Sequence, residues 1–315
     1  MKSRAIALSN STELAPSLPA DSWETVLALW THGRSPHTQR YYRQEAQAFR
    51  QWVQKPLDQV TLADLQSYLD RLDQLPRGDR ARLLRHSPEC LQASSRRRTV
   101  AVLKSLFSFL SKRLGIVPVN VAAAIHAPRV KDTLAERILS ESIVQSLIAA
   151  AGNERDRLIL QVLYGAGLRV SELCHLRWQD VKARSPEAGQ LTVLGKGGKT
   201  RVVLLPRSLW QTLSQFRQGA ELAAPVFCSR RGTAISASQV HRIVRQAALQ
   251  VAELEPEIAQ RVSPHWLRHC HASHSLQQGA SVALVSRTLG HSSVAITSNY
   301  LHCLPDESSA LFLDL

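Results

Sequence analysis

Arg261-Val-Ser-Pro-His-Trp-Leu-Arg-His-Cys-His-Ala-Ser-His274, followed by Leu289-Gly-His-Ser-Ser-Val-Ala-Ile-Thr-Ser-Asn-Tyr300, is the stretch around which this chain is organised. Ser263 suits a helix N-cap, and Pro264 suits the first helical position, where a missing amide hydrogen costs least. From that start His265 and Arg268, three residues apart, share a face, while Trp266, Leu267 and Cys270 supply apolar bulk elsewhere around the turn. Gly279 and Gly290 divide the rest of the stretch into two more short helices. His291 falls just past the second glycine and Tyr300 nine residues beyond it.

Taken singly, each of these residues has an ordinary structural explanation, since a histidine near a helix start or a tyrosine near a helix end is most often there for packing. A metal site is a second explanation, because His265 and His269 are four apart and His271 and His274 three apart. Arg268 stands among them as a fixed cation, and no nearby carboxylate or cysteine completes a tetrahedral set. No metal is therefore expected.

The 315 residues suffice for two domains of ordinary size, and 44% hydrophobic with 20% charged residues describes a chain that folds around apolar cores. The net charge of +14 calls for a polyanionic partner. Residues 1–131 carry 20 basic and 10 acidic side chains against 19 and 15 in residues 132–315, so the N-terminal part holds the stronger positive field. Five cysteines, at 90, 174, 228, 270 and 303, are odd in number and widely spaced, which fits a reducing cytosol better than a disulfide framework. Ser9, Asn10, Ser11 and Glu13 interrupt any leader-like apolar run, and no later run suits a membrane span.

In the N-terminal part, Asp21 can cap a helix carrying Trp23, Val26, Leu27 and Trp30, and Ser35-Pro36 opens a longer one. There Tyr42, Ala46, Phe49 and Val53 form an apolar stripe, with Arg40, Arg43, Gln47 and Arg50 on other faces. A third helix from Thr61 turns Leu62, Leu65, Leu69 and Leu72 inward. After an arginine-rich connection from Pro76 to about Ala93, a fourth aligns Leu103, Phe107, Leu110 and Leu114 and stops at Gly115. Arg96, Arg97 and Arg98 open that helix, where the macrodipole disfavours cations. A solvated charged face is one account of them; given the net charge of this half, a phosphate-binding edge is the better one, with Lys104 and Arg43 as further contacts.

In the C-terminal part, Ser140 caps one helix and Glu154–Tyr164 forms the next, ending at Gly165-Ala-Gly167. A tight glycine turn places Arg169 at a helix junction, with Ser171 or a neighbour restarting the helix. Gln190–Leu194 and Thr200–Leu205 read as a hairpin around Gly195-Lys-Gly-Gly-Lys199, with Lys196 and Lys199 at its tip and Arg201 beside them. That loop lacks the spacing of a nucleotide-binding loop. Arg207–Gln218 and Ser236–Val251 read as helices, with one short strand around Val226–Cys228. No βαβ alternation or dinucleotide fingerprint is present.

Arg169, Lys196, His265, Arg268, His291 and Tyr300 thus make a cationic set poor in carboxylates and ending in a phenol. Guanidinium forks suit the non-bridging oxygens of a phosphodiester and the charge that grows in its pentavalent transition state. Tyrosine can be the nucleophile, and lysine or histidine can move protons.

The segments Gly-Ala-Gly-Leu-Arg169-Val-Ser-Glu-Leu, Gly-Lys196-Gly-Gly-Lys-Thr-Arg, His265-Trp-Leu-Arg268-His, Leu-Gly-His291-Ser-Ser and Tyr300, in this order and spacing, resemble the tyrosine recombinases of the phage integrase family, with a Xer-like layout. The resemblance spans roughly residues 21–304. Trp266 departs from it, since the family often has Asp there, and so does the short tail after Tyr300.

The resemblance implies a mainly α protein: a flexible lead 1–20, a four-helix, SAM-like DNA-binding domain 21–128, a linker 129–137, an α-rich catalytic domain 138–304 with a small β-hairpin or sheet, and a tail 305–315. It implies that Tyr300 forms a 3′-phosphotyrosyl bond while Lys196 protonates the leaving 5′-hydroxyl, Arg169 and Arg268 stabilise the phosphorane, His265 transfers protons and His291 orients the phosphate. Neither cofactor nor metal is implied. The partners implied are double-stranded DNA and further copies of the chain in a synaptic tetramer, with a second recombinase or a DNA translocase left open. The apolar Leu311, Phe312, Leu313 and Leu315 are expected to dock, on the chain's own surface or, as the resemblance implies, on a neighbouring protomer. A type IB topoisomerase-like relaxing enzyme and a catalytically silent DNA-binding relative are the rival readings.

Overall fold

A computed structural model of the chain describes residues 22–74, 93–129, 133–195 and 198–302. The lead 1–20, the cap Asp21, Lys196, part of the linker and the tail lie outside the described residues. Contacts divide the chain into two units, Met1–Lys131 and Asp132–Leu315.

The first unit contains helices α1 Ser22–Thr31, α2 Pro36–Val53, α3 Leu62–Gln74 and α4 Ala93–Lys112 among its described residues. Ser35 caps α2 by accepting from the Thr38 amide, and Thr61 and Asp64 exchange capping bonds at the head of α3. The helical spacing then brings Phe49, Tyr68 and Phe107 together edge-to-face, with centroids 5.1 and 6.1 Å apart. Each is fully buried, a burial that contributes roughly 1.5–3 kcal/mol per side chain. Thr99 donates to Glu45 at 3.0 Å inside this core, so a carboxylate buried between α2 and α4 has a partner.

Among its described residues the second unit contains α5 Glu141–Ala149, α6 Glu154–Gly165, α7 Val170–His175, strands β1 Val181–Ser185, β2 Ala188–Leu194 and β3 Thr200–Leu204, then α8 Arg207–Phe216, α9 Ala237–Ala248, α10 Pro256–Arg261, α11 Pro264–Gln277, α12 Val282–Leu289 and α13 Val294–Ser298. Its three strands form an antiparallel sheet in the order β1-β2-β3, with Leu191 opposite both Val181 and Val203. In β2, Gly189, Leu191 and Val193 face inward. Central α11 packs against α6 and α12 and buries Trp266, Leu267 and Cys270.

Several expectations change. The hairpin is the larger part of a three-stranded sheet; β1 carries no sequence signal because four of its five residues are exposed, leaving no apolar alternation to read. Val226–Cys228 is not a strand: isolated bridges pair Arg177 with Pro225 and Cys228 with Ala234. Ser263 holds the N-cap position of α11 but makes no side-chain capping bond. The helix after Gly167 restarts at Val170, the neighbour of Ser171, with Arg169 in the N-cap position and its amide donating to the Glu172 carboxylate at 2.8 Å.

Gly189 is required by a close approach. A Cβ there would meet the Trp210 ring of α8 at 2.0 Å. Gly189→Ala should destabilise the protein by about 1–3 kcal/mol in urea unfolding followed by circular dichroism, while Gly152→Ala, which opens onto empty space, should stay within about 0.5 kcal/mol. Equal midpoints for both variants would show that the sheet does not depend on this contact.

Candidate active site

Three segments build the site: the turn Gly167–Glu172, helix α11, and the end of α12 leading through α13 to Tyr300. The turn needs glycine at 167, where φ is +60° and a Cβ would meet both His271 and Leu289 at 2.7 Å. Gly290 ends α12 in the left-handed conformation, and the His291 amide reaches back to the Ser286 carbonyl at 3.1 Å.

A helix end leaves backbone carbonyls without partners. Here three guanidinium groups take them in succession: Arg201 donates to Thr288 at 2.6 Å, Arg268 to Leu289 at 2.6 Å, and Arg169 to Gly290 at 3.1 Å. Arg268 also donates to the Gly167 carbonyl at 2.6 Å. One carboxylate serves this cluster. Glu172, 4% exposed at its side chain, accepts from Arg169 and from both terminal nitrogens of Arg201 at 2.8 Å and lies 4.0 Å from Arg268.

Burial alone would raise the Glu172 pKa, but the hydrogen bonds from Arg201 and Arg169 outweigh it and hold the carboxyl below its usual range. Burial, with Arg169 nearby, brings Arg268 down to about 10, still a cation at neutral pH.

Tyr300 sits in the turn Asn299–His302 after α13, 6% exposed and packed among Ala272, Val285 and Leu289. His269 Nδ1 and the Tyr300 hydroxyl are 2.7 Å apart. The His291 ring stacks on the Tyr300 ring, with centroids 6.5 Å apart and planes 8° from parallel, while its Nδ1 pairs with the Thr297 hydroxyl at 2.8 Å. His265 is exposed, its ring 6.4 Å from that of His269. Burial and the nearby arginines push His269 and His291 down to about 4, so both imidazoles are neutral at pH 7.

The other histidines of α11 have structural partners. His271 Nδ1 is 2.7 Å from the Tyr164 carbonyl, and His274 bridges the Tyr164 hydroxyl and the Leu139 carbonyl at 2.9 and 3.0 Å. Among the described residues no group of His, Cys, Asp and Glu could hold a metal ion, and none of the described helices is long and apolar enough to cross a membrane.

Arg169, Arg268, His291 and Tyr300 are thus gathered at one place, with His265 at its rim, while Lys196 lies outside the described residues. Arg201, expected as a DNA contact, lies within this cluster. Its side chain is 10% exposed and donates to Glu172 and Thr288. Among the other expected DNA contacts, Arg97, Arg98 and Lys199 are exposed, Arg96 lies 3.6 Å from Asp70, Lys104 is half-buried, and Arg43 donates to Thr31 at 3.2 Å. Local sequence gives no role to Glu172 or His269. The three-residue spacing from Arg169 to Glu172 is a usable signal for the first, but nothing local points to the second.

A mainly helical fold that sets a tyrosine among arginines and histidines fits the chemistry of a phosphodiester. The phage integrase family model matches residues 137–307, and the model for the phage integrase N-terminal SAM-like domain matches residues 24–113. The chain belongs to the phage integrase family of tyrosine recombinases. Tyrosine recombinase XerC of Pelobacter propionicus is 32% identical over 276 residues, 85% of each chain. Two solved structures share the fold: a lambda integrase dimer bound to a COC′ core site (TM-score 0.67, 21% identity, 91% of this chain and 95% of that one) and a lambda integrase tetramer bound to a Holliday junction (TM-score 0.63, 18% identity, 86% and 77%).

The Glu172 cluster has a measurable signature. A carboxyl with a depressed folded pKa contributes stability that is fully present above its unfolded pKa of about 4.3 and is lost as pH falls through the lower folded value. Glu172→Gln should cost about 3–5 kcal/mol at pH 7 by stranding buried guanidinium groups, and should flatten the loss of stability that the unsubstituted protein shows below about pH 4.3. Urea unfolding at several pH values checks both. A variant as stable as its parent at pH 7 would remove Glu172 from the centre of the site.

Proposed function

We propose that this chain is a site-specific DNA recombinase that cleaves and rejoins duplex DNA through a 3′-phosphotyrosyl intermediate on Tyr300. The observation that carries this reading is the gathering of Tyr300, His291, Arg169 and Arg268 inside the segment matched by the integrase family model. Each guanidinium has five N–H donors, so Arg169 and Arg268 retain donors for a scissile phosphate beyond those given to carbonyls and Glu172. Their charge stabilises the phosphorane. Tyr300 attacks phosphorus, the P–O5′ bond breaks, Lys196 protonates the departing 5′-oxygen, His265 transfers protons and His291 orients the phosphate. The phosphotyrosine preserves the bond energy, so strand exchange needs neither cofactor nor metal.

Residues 21–128 form the DNA-binding domain, with Arg43, Arg96, Arg97, Arg98 and Lys104 on phosphates. Residues 138–304, including Lys199, form the catalytic domain; 129–137 link the two, and 1–20 and 305–315 flank them. The enzyme acts in the cytoplasm as a tetramer on paired sites, in chromosome dimer resolution or in integration and excision of a mobile element. The XerC relative and the integrase tetramer on its junction support that setting.

Tyr300→Phe should keep duplex affinity and lose the covalent adduct on a nicked suicide duplex. An undiminished adduct would sink the assignment of the nucleophile. Neutralising Arg96, Arg97 and Arg98 together should flatten the salt dependence of duplex binding by up to about 0.9 of slope for each phosphate that is no longer neutralised. An unchanged slope would place these arginines away from DNA.

A further inference from the structure

The Tyr300 hydroxyl has a neighbour that the proposed catalytic set does not use. His269 follows Arg268 on α11, and its Nδ1 lies 2.7 Å from the phenolic oxygen, within proton-transfer distance. The other two candidate histidines are placed differently. His291 lies against the face of the Tyr300 ring with its Nδ1 on Thr297, and His265 stands beyond His269 at the exposed rim.

We propose that His269 is the proton acceptor of the nucleophile: it positions the Tyr300 hydroxyl through Nδ1 and takes its proton as the phenolic oxygen bonds to phosphorus. This inference rests on Tyr300 being the nucleophile. In the step, the O–H of Tyr300 donates to the unprotonated Nδ1 of a neutral imidazole that carries its hydrogen on Nε2. The Tyr300 O–P bond forms, the P–O5′ bond breaks, the phenolic proton stays on Nδ1 as imidazolium, and the departing 5′-oxygen takes a different proton, from Lys196. Rejoining runs in reverse, with the imidazolium returning its proton to the phenol.

The surroundings prepare His269 to accept. Burial comes first, and His265, Arg137, Arg268 and His291 all face it, which together push it down to about 4 and leave it neutral at working pH. DNA phosphates entering the site add negative charge that offsets Arg137 and Arg268 and raises its proton affinity. The base is therefore strengthened when substrate arrives.

Single-turnover adduct formation on the nicked suicide duplex tests this from about pH 5.5 to 9, the range over which an acceptor should control the rate. His269→Asn keeps a polar group near the Nδ1 position without a basic nitrogen. It should bind duplex as its parent does, form adduct about 10²–10⁴-fold more slowly at pH 7, and speed up about tenfold per pH unit as the phenol must ionise into solvent. Tyr300→difluorotyrosine, a more acidic phenol, should restore most of the rate in that background and change the parent little. A uniform loss at every pH with no such rescue would reduce His269 to packing and overturn the proposal. Should His269→Asn fold poorly, His269→Gln carries the same comparison. The imidazole ¹⁵N spectrum of the unsubstituted protein reads the tautomer directly: Nε2–H with a bare Nδ1 supports the proposal, and Nδ1–H overturns it. If Tyr300→Phe abolishes the adduct while His269→Asn cleaves at the parent's rate and pH profile, only the role of His269 falls. If Tyr300→Phe still forms adduct, the nucleophile has been misassigned and both fall.

Discussion

One buried carboxylate among three arginines is the constraint on which the site depends. Glu172 accepts from Arg169 and Arg201 and lies within 4.0 Å of Arg268. A carboxylate so enclosed would be prohibitively costly alone, and three guanidinium groups so crowded would repel one another. Each side makes the other tenable. The charges do not cancel, and the excess is positive, as a phosphodiester requires.

The end of α12 completes this arrangement with backbone rather than side chains. Its last carbonyls carry the negative end of the helix macrodipole, and Arg201, Arg268 and Arg169 each take one. The arginines are thereby fixed before any substrate arrives, so little reorganisation is left for the reaction itself. His291 follows directly after Gly290, and α13 brings Tyr300 back over it. The same desolvation and positive field hold the histidines around Tyr300 neutral, able to accept protons.

Two kinds of legibility separate the elements of this chain. The helices of the first unit are readable because Phe49, Leu65, Leu69, Leu103 and Phe107 recur at helical spacing and are buried. Strand β1 is not, because an exposed edge strand needs no apolar alternation. The partner of Arg201 is not legible either, because Glu172 lies 29 residues earlier in the chain, beyond the reach of any local pattern.

The sequence by itself determined the local facts: that α11 begins at Pro264, that Gly279 and Gly290 bound the helices after it, that Gly167 turns the chain, and that arginines, histidines and a tyrosine recur in a spacing suited to phosphodiester chemistry. Capping, glycine conformation and side-chain periodicity act over a few residues, so they are written in order along the chain. Only the tertiary structure decided which arginines gather on Glu172 and at the end of α12, and which histidine meets the Tyr300 hydroxyl. His269 and Tyr300 are 31 residues apart and their contact depends on how α13 returns across α11. Side-chain proton affinity and ion pairing are set by burial and by neighbours from distant segments, and no local pattern encodes them.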